Sequence, residues 1–151
     1  MGILGPKPKQ NTSPAHRGTV SEQQIIARLI AVGYSVLLPV EVSLRYDLVI
    51  EDADGKFWRV QCKTARVANG YVSFFTYNGS EHRGLKKRSY RGEVDYFAAY
   101  SPDLNKVYFI SAEDAPLTNV QLRLEEKERT EYYREKKQGK QLTRWAADYE
   151  L

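Results

Sequence analysis

The sequence predicts an α/β fold in which one helix is followed by a mixed, mostly hairpin-connected sheet. Two patterns predict it: an amphipathic stripe near the start, and behind it a succession of short β-prone runs divided by turn residues. From Thr19 the apolar residues Ile25, Ile26, Leu29 and Ile30 recur at helical spacing, and Gly33 closes the segment. Ser35 to Val40 is a short strand run ended by Pro39. Tyr46 to Ile50 is a second strand, and Asp52-Ala53-Asp54-Gly55 supplies its turn into a third, Phe57 to Thr64. Asn69-Gly70 turns into a fourth strand, Tyr71 to Tyr77. Tyr96 to Tyr100 and Val107 to Ile110 flank a Ser101–Asn105 hairpin loop, and Val120, Leu122 and Leu124 alternate as a short edge strand would. Hairpins therefore outnumber crossovers.

At 151 residues the chain has room for one domain and one sizeable core. Residues 1–17 hold three prolines and no periodicity and are expected to form a flexible basic arm. Residues 18–124 make up the domain, and 125–151 form a charged tail. Its apolar tip around Trp145 is a candidate for a returning helix or a contact with a second subunit. No apolar run reaches membrane-spanning length and no signal segment opens the chain, so no membrane partner and a cytoplasmic location are expected. A single cysteine, Cys62, excludes a disulfide framework and a multi-cysteine zinc site. With only His16 and His82 besides, a metal site would be built from oxygens, which favours Mg²⁺ or a similar hard ion.

The net charge is +4, but it is unevenly spread: residues 79–92 carry five Lys or Arg against one acid. Such concentration suits a polyanion, and it equally suits a solvated loop.

The third strand brings chemistry into view. With a period of two, Phe57, Arg59, Gln61 and Lys63 share one face, and Trp58, Val60 and Cys62 share the other, apolar one. The polar set is either a solvated sheet face or a site. Asp47 opens the preceding strand, and a tight hairpin would bring it within metal-ligand distance of the Gln61 carbonyl oxygen. Glu22 lies on the stripe of Ile25, Ile26 and Leu29, where an acid needs a partner or a cation. A competing reading makes Thr19-Val20-Ser21-Glu22 a capping box, with Glu22 bonded back to the Thr19 amide.

Three segments in order, Gly18 to Glu22, Leu44-Arg45-Tyr46-Asp47-Leu48-Val49 and Val60-Gln61-Cys62-Lys63-Thr64-Ala65, resemble the PD-(D/E)xK nuclease core, a restriction endonuclease-like fold. Tyr90-Arg91-Gly92-Glu93-Val94-Asp95-Tyr96-Phe97 is similar to a downstream segment of its group I intron-associated homing endonucleases. The resemblance implies Mg²⁺, with Mn²⁺ able to substitute, held by Asp47, Glu22, Gln61 and the Cys62 carbonyl. It implies Lys63 as the residue that positions the attacking water or stabilises charge, giving Glu22, Asp47, Gln61 and Lys63 as the catalytic set. Gln61 stands where the family usually has an acid, so it can offer an oxygen but no negative charge. Tyr46 replaces the motif's proline. Burial would lower the Lys63 pKa and Asp47 would raise it, and the sequence leaves the sign open.

The expected activity is hydrolysis of phosphodiester bonds in double-stranded DNA by a homing-type endonuclease, with no small-molecule cofactor. A Holliday-junction resolvase and a non-catalytic nucleic-acid-binding module are the alternatives. DNA contacts are expected from His82, Arg83, Lys86, Lys87, Arg88 and Arg91, with Arg45, Arg59 and Arg66 flanking the site. A chain this small reads few base pairs, so a homo-oligomer, dimer or tetramer, is expected.

Overall fold

A computed structural model describes residues 5–6, 9–78, 87–124 and 143–151. Helix α1 spans Pro14–Ala31, and among the described residues ten strands follow: β1 Ser35–Leu37, β2 Leu48–Glu51, β3 Phe57–Thr64, β4 Arg66–Ala68, β5 Tyr71–Phe75, β6 Tyr77–Asn78, β7 Arg88–Ser89, β8 Tyr96–Ser101, β9 Lys106–Ser111 and β10 Asn119–Arg123. β1-β2-β3-β8-β9 form a five-stranded sheet, β10-β5-β4 a three-stranded one, and β6 pairs with β7. Only β3 and β8 run parallel; the other named strand pairs are antiparallel. The predicted α/β order, one helix followed by a mixed and mostly hairpin-connected sheet, is the one observed.

The helix starts at Pro14, five residues before the Thr19 start expected from the sequence pattern. Ser13 is its N-cap, its hydroxyl accepting from the His16 amide, and Pro14 takes the first helical position, where no amide is required. Thr19 consequently sits in the second turn, with its hydroxyl on the Ala15 carbonyl at 3.1 Å. This overturns the capping-box reading: Glu22 has no helix start to cap. At the other end Tyr34 N–H donates to Leu29 O and Gly33 N–H to Ile30 O, a Schellman arrangement that needs the positive φ of 104° at Gly33.

The fourth strand is broken rather than continuous. Ala65 makes the last bond to the large sheet, donating its amide to Tyr100 O of β8, and β4 then turns through Asn69 and Gly70, both at positive φ, into β5. Buried Thr76 bonds to Pro116 and Thr118 of a distant segment, which ends β5 and starts β6. β10 is the edge strand expected from Val120, Leu122 and Leu124.

Three layers result, with two cores. Ile25 and Leu29 of α1 pack on Leu48, Ile50, Val60 and Ala98, and each fully buried Ile, Leu or Val side chain contributes about 1.5–3 kcal/mol. On the opposite face Phe97, Ala99, Tyr108 and Ile110 pack on Val72, Phe74, Val120 and Leu122 of the small sheet. The face of β3 carrying Gln61 and Lys63 is therefore not a solvated sheet face; it borders this second core, and both residues are half-buried. The Trp145 tip returns onto its own chain: Tyr149 O accepts from Phe109, Arg144 O from Arg123, and Ala146 is buried in the second core. It does so as a short 3-10 turn, Ala146–Asp148, not a longer helix. Residues 125–142 of the tail, and 1–4 and 7–8 of the arm, lie outside the described residues.

One ion pair joins the starts of the two parallel strands. Asp95 accepts from the Arg59 backbone amide at 2.7 Å and from its guanidinium at 3.0 and 3.1 Å. Those bonds hold the Asp95 carboxyl below the usual carboxylate range. Its stabilisation is therefore complete above the ordinary aspartate pKa of about 3.9 and is lost as the pH falls through the lower folded value. Asp95→Asn should cost about 1–2 kcal/mol at pH 7, seen as a lowered melting temperature. The gap from wild type should close toward pH 2; a gap constant with pH would show that charge is not the cause.

Candidate active site

The site forms where β2 and β3 part. Their ladder runs from Glu51↔Phe57 to Leu48↔Val60, and one step further Asp47 still donates its amide to Val60 O at 3.0 Å. There the Asp47 carboxylate takes over: its Oδ2 accepts from Cys62 N at 2.7 Å. Asp47 thus touches the Gln61–Cys62 peptide through its backbone amide, a bond to nitrogen and not the approach to the Gln61 oxygen that the hairpin spacing suggests. The Gln61 side chain lies alongside, its Nε2 3.5 Å from Cys62 O and so weakly held.

Glu22 is half-buried on the face of α1 turned to the sheet, one residue after buried Ser21. Ser21 Oγ lies 2.6 Å from Thr64 Oγ1, so the turn that carries Glu22 is tied to the strand end that carries Lys63. Burial, and then the Asp47 charge, push the Glu22 carboxyl up. Burial also raises Asp47, outweighing the Cys62 amide and Lys63, which both act the other way. For Lys63 burial wins over the attraction of Asp47, and its pKa is pulled down to about 8. The sign left open by the sequence is downward.

Lys63 Nζ donates to Tyr90 Oη at 3.4 Å and stands 4.4 Å from the centre of that ring. The Arg45 guanidinium lies 4.0 Å from the same ring and bonds Glu93 and the Ser89 carbonyl. Arg88 pairs with the second oxygen of Glu93. Arg45, Arg59 and Arg88, expected from the sequence to face phosphates, each have a carboxylate partner within the chain. Arg66 is exposed, 5.8 Å from the Phe75 ring, Lys87 lies 4.9 Å from the Tyr77 ring, and Arg91 is exposed beside β7. His82, Arg83 and Lys86 lie outside the described residues.

Tyr90, Ser21, Thr64 and Glu93 were not legible as site residues. Tyr90 meets Lys63 across 27 positions and Ser21 meets Thr64 across 43, and no periodicity encodes either contact.

The donors brought together fit a hard divalent ion: two carboxylates, an amide and the Cys62 carbonyl, all oxygens. The Cys62 thiol does not belong to the set, because burial and then the Asp47 and Glu22 charges push its pKa up and keep it protonated. Among the described residues no group of three or more His, Cys, Asp and Glu side chains forms a metal cluster, so the backbone and Gln61 oxygens would have to complete the site.

A family model described as PD-(D/E)XK endonuclease matches residues 12–151, and nucleases of this family generally use divalent metal ions. A search of curated proteins finds no match. Among solved structures, the bacterial homing endonuclease I-Ssp6803I is similar over 91% of this chain and 88% of its own, with 23% identity and a TM-score of 0.66. Hjc of Archaeoglobus fulgidus, a Holliday junction resolvase from an archaeal hyperthermophile, is similar over 71% of this chain and 84% of its own, with 12% identity and a TM-score of 0.43. No helix among the described residues is long and apolar enough to cross a membrane. With its family model spanning nearly the whole chain and its acid–amide–lysine motif assembled at the parting of β2 and β3, this protein belongs to the PD-(D/E)XK endonuclease family.

Proposed function

We propose that this protein is a Mg²⁺-dependent endonuclease of homing type that hydrolyses phosphodiester bonds of double-stranded DNA. The observation that carries the reading is the convergence of Asp47, the Gln61–Cys62 peptide and Lys63 at one strand parting, with Glu22 close enough for Asp47 to raise its pKa. Two half-buried acids whose charged forms are both disfavoured are a place where a cation stabilises the protein.

Asp47, Glu22, Gln61 and the Cys62 carbonyl would hold the ion. When bound, a divalent ion lowers the pKa of water and offsets charge on the phosphorane. Lys63 supplies a second positive charge from the protein. Predominantly an ammonium at pH 7, it stabilises the negative charge that grows on the phosphoryl oxygens, with no reorganisation at the moment of reaction. Asp47 attracts Lys63 electrostatically, while its own carboxylate is oriented by the Cys62 amide. Gln61 contributes an oxygen without charge, so ion affinity is expected to be lower than at an all-carboxylate site.

Phosphate contacts fall to Arg66, Lys87 and Arg91, and to His82, Arg83 and Lys86 of the neighbouring basic segment. A homo-oligomer would let two such sites act on a long target. The likeness in fold to a homing endonuclease, over most of both chains, favours this type of substrate.

The test is supercoiled-plasmid cleavage in Mg²⁺ and then Mn²⁺, on DNA carrying the sequence that flanks the gene, beside a four-way junction. Site-specific linearisation of the plasmid is the expected result. Preferential cutting of the junction would replace the homing reading with resolution. Salt-sensitive binding with no nicking in either ion would leave a binding module.

A further inference from the structure

Tyr90 is a buried residue, 4% exposed, whose ring is shared between an apolar core and two cations. It packs edge-on against Phe97, with ring centres 5.9 Å apart at 85°. Lys63 Nζ stands 4.4 Å from its centre and 3.4 Å from its hydroxyl oxygen, and the Arg45 guanidinium lies 4.0 Å from the same centre. The two cations repel, and Arg45 acts on Lys63 in that sense. Arg45 is anchored by Glu93 and Ser89. None of the ion pairs among the described residues includes Lys63. Asp47 draws Lys63 electrostatically, but the Asp47 oxygen is itself directed to the Cys62 amide.

We propose that Tyr90 is the positioning residue for Lys63, its ring face and hydroxyl fixing the ammonium at the strand parting without neutralising it. A carboxylate in that place would hold Lys63 as firmly but would cancel the charge that the reaction needs. An aromatic face attracts an ammonium through its quadrupole and leaves the net charge intact. The hydroxyl engages one of the three ammonium hydrogens, and two remain for water or phosphate. Burial keeps the phenol neutral, since it raises the Tyr90 pKa. The inference rests on the nuclease reading for the role of Lys63, but the contact itself does not depend on that reading.

The experiment uses the full chain with Tyr90→Phe and Tyr90→Leu, each in the wild-type and in the Lys63→Ala background, timing single-turnover cleavage and measuring DNA affinity separately. Tyr90→Leu should slow cleavage about tenfold with affinity held within about twofold, and Tyr90→Phe, which keeps the ring face, should slow it less than about threefold. In the Lys63→Ala background Tyr90→Leu should change the rate less than about twofold, because the group it positions is gone. Equal slowing in both backgrounds, or a loss of affinity that accounts for the rate, would make Tyr90 structural and overturn the proposal. NMR supplies a readout apart from activity. The Lys63 ε-methylene protons, assigned by their disappearance in Lys63→Arg, should be shifted upfield by the Tyr90 ring and remain so in Tyr90→Phe. Unshifted Lys63 protons in wild type would overturn the contact even if Tyr90→Leu does not fold. A wild type that cuts no DNA yet shows the shift would sink the nuclease reading and keep the contact.

Discussion

Asp47→Asn is expected to reduce cleavage at least about a hundredfold while leaving the protein without divalent ions as stable as wild type, or more so. Asn keeps the shape and an oxygen that can accept from the Cys62 amide, so the bond that aligns the strand parting survives. What disappears is a charge that the fold disfavours. The Asp47 carboxyl is raised above its ordinary range because burial outweighs the Cys62 amide and Lys63, and Glu22 is raised in turn by burial and by Asp47. An acid with a raised folded pKa binds its proton more tightly folded than unfolded. Its ionised form therefore lowers stability at neutral pH, and the penalty is relieved as the pH falls through the folded value. Thermal melts at pH 7 in chelator should show a melting temperature for Asp47→Asn no lower than wild type. Added Mg²⁺ should raise the wild-type value by binding only the folded state, and should raise the variant far less. A variant that melts well below wild type in chelator would make Asp47 a structural residue, and a variant that still cuts would remove it from the site.

The sequence carried much of this site and less of the fold around it. Asp47, Gln61 and Lys63 were legible because they lie on one hairpin, where a turn of acids and a period of two fix which residues become neighbours. Glu22 was legible as a core-facing acid, with a helix cap as the competing reading. The cap reading arose from the start of α1: Ser13-Pro14 opens the helix ahead of the apolar stripe, in a stretch whose prolines read as an arm. The second core was hidden for a different reason. Val72, Phe74, Val120 and Leu122 alternate as a half-exposed sheet would, and nothing local says that their apolar face closes over Phe97 and Tyr108 instead of facing α1. That closure, with Tyr90 at its border, turns a polar strand face into a half-buried site and sets the direction of the Lys63 pKa. The ion pairs of Arg45 and Arg59 escaped notice because Glu93 and Asp95 lie 48 and 36 positions away.

Lys63→Met is expected to lower cleavage about a hundredfold and to leave DNA affinity nearly unchanged, since one charge aimed at the reacting phosphate is worth far more in the transition state than in binding. Met preserves the length and apolar stem that pack beside Tyr90, so cavity effects stay small. The stability consequence has a definite sign. A lysine whose folded pKa is pulled down to about 8 is disfavoured as an ammonium by folding. That penalty is full below about pH 8 and is relieved as the pH rises through the folded value toward the unfolded value of about 10.4. In chelator, then, the melting temperature of wild type should gain on that of Lys63→Met between pH 7 and pH 10. At pH 7 the variant gains from the loss of a buried ammonium and loses from leaving Asp47 without its cation, so its net change should be small. The two residues act as a unit, and Lys63→Met in the Asp47→Asn background should slow cleavage much less than it does alone. Full multiplicative losses in the double variant would mean that Lys63 and Asp47 act on different steps, and the single strand-parting site would then have to be divided.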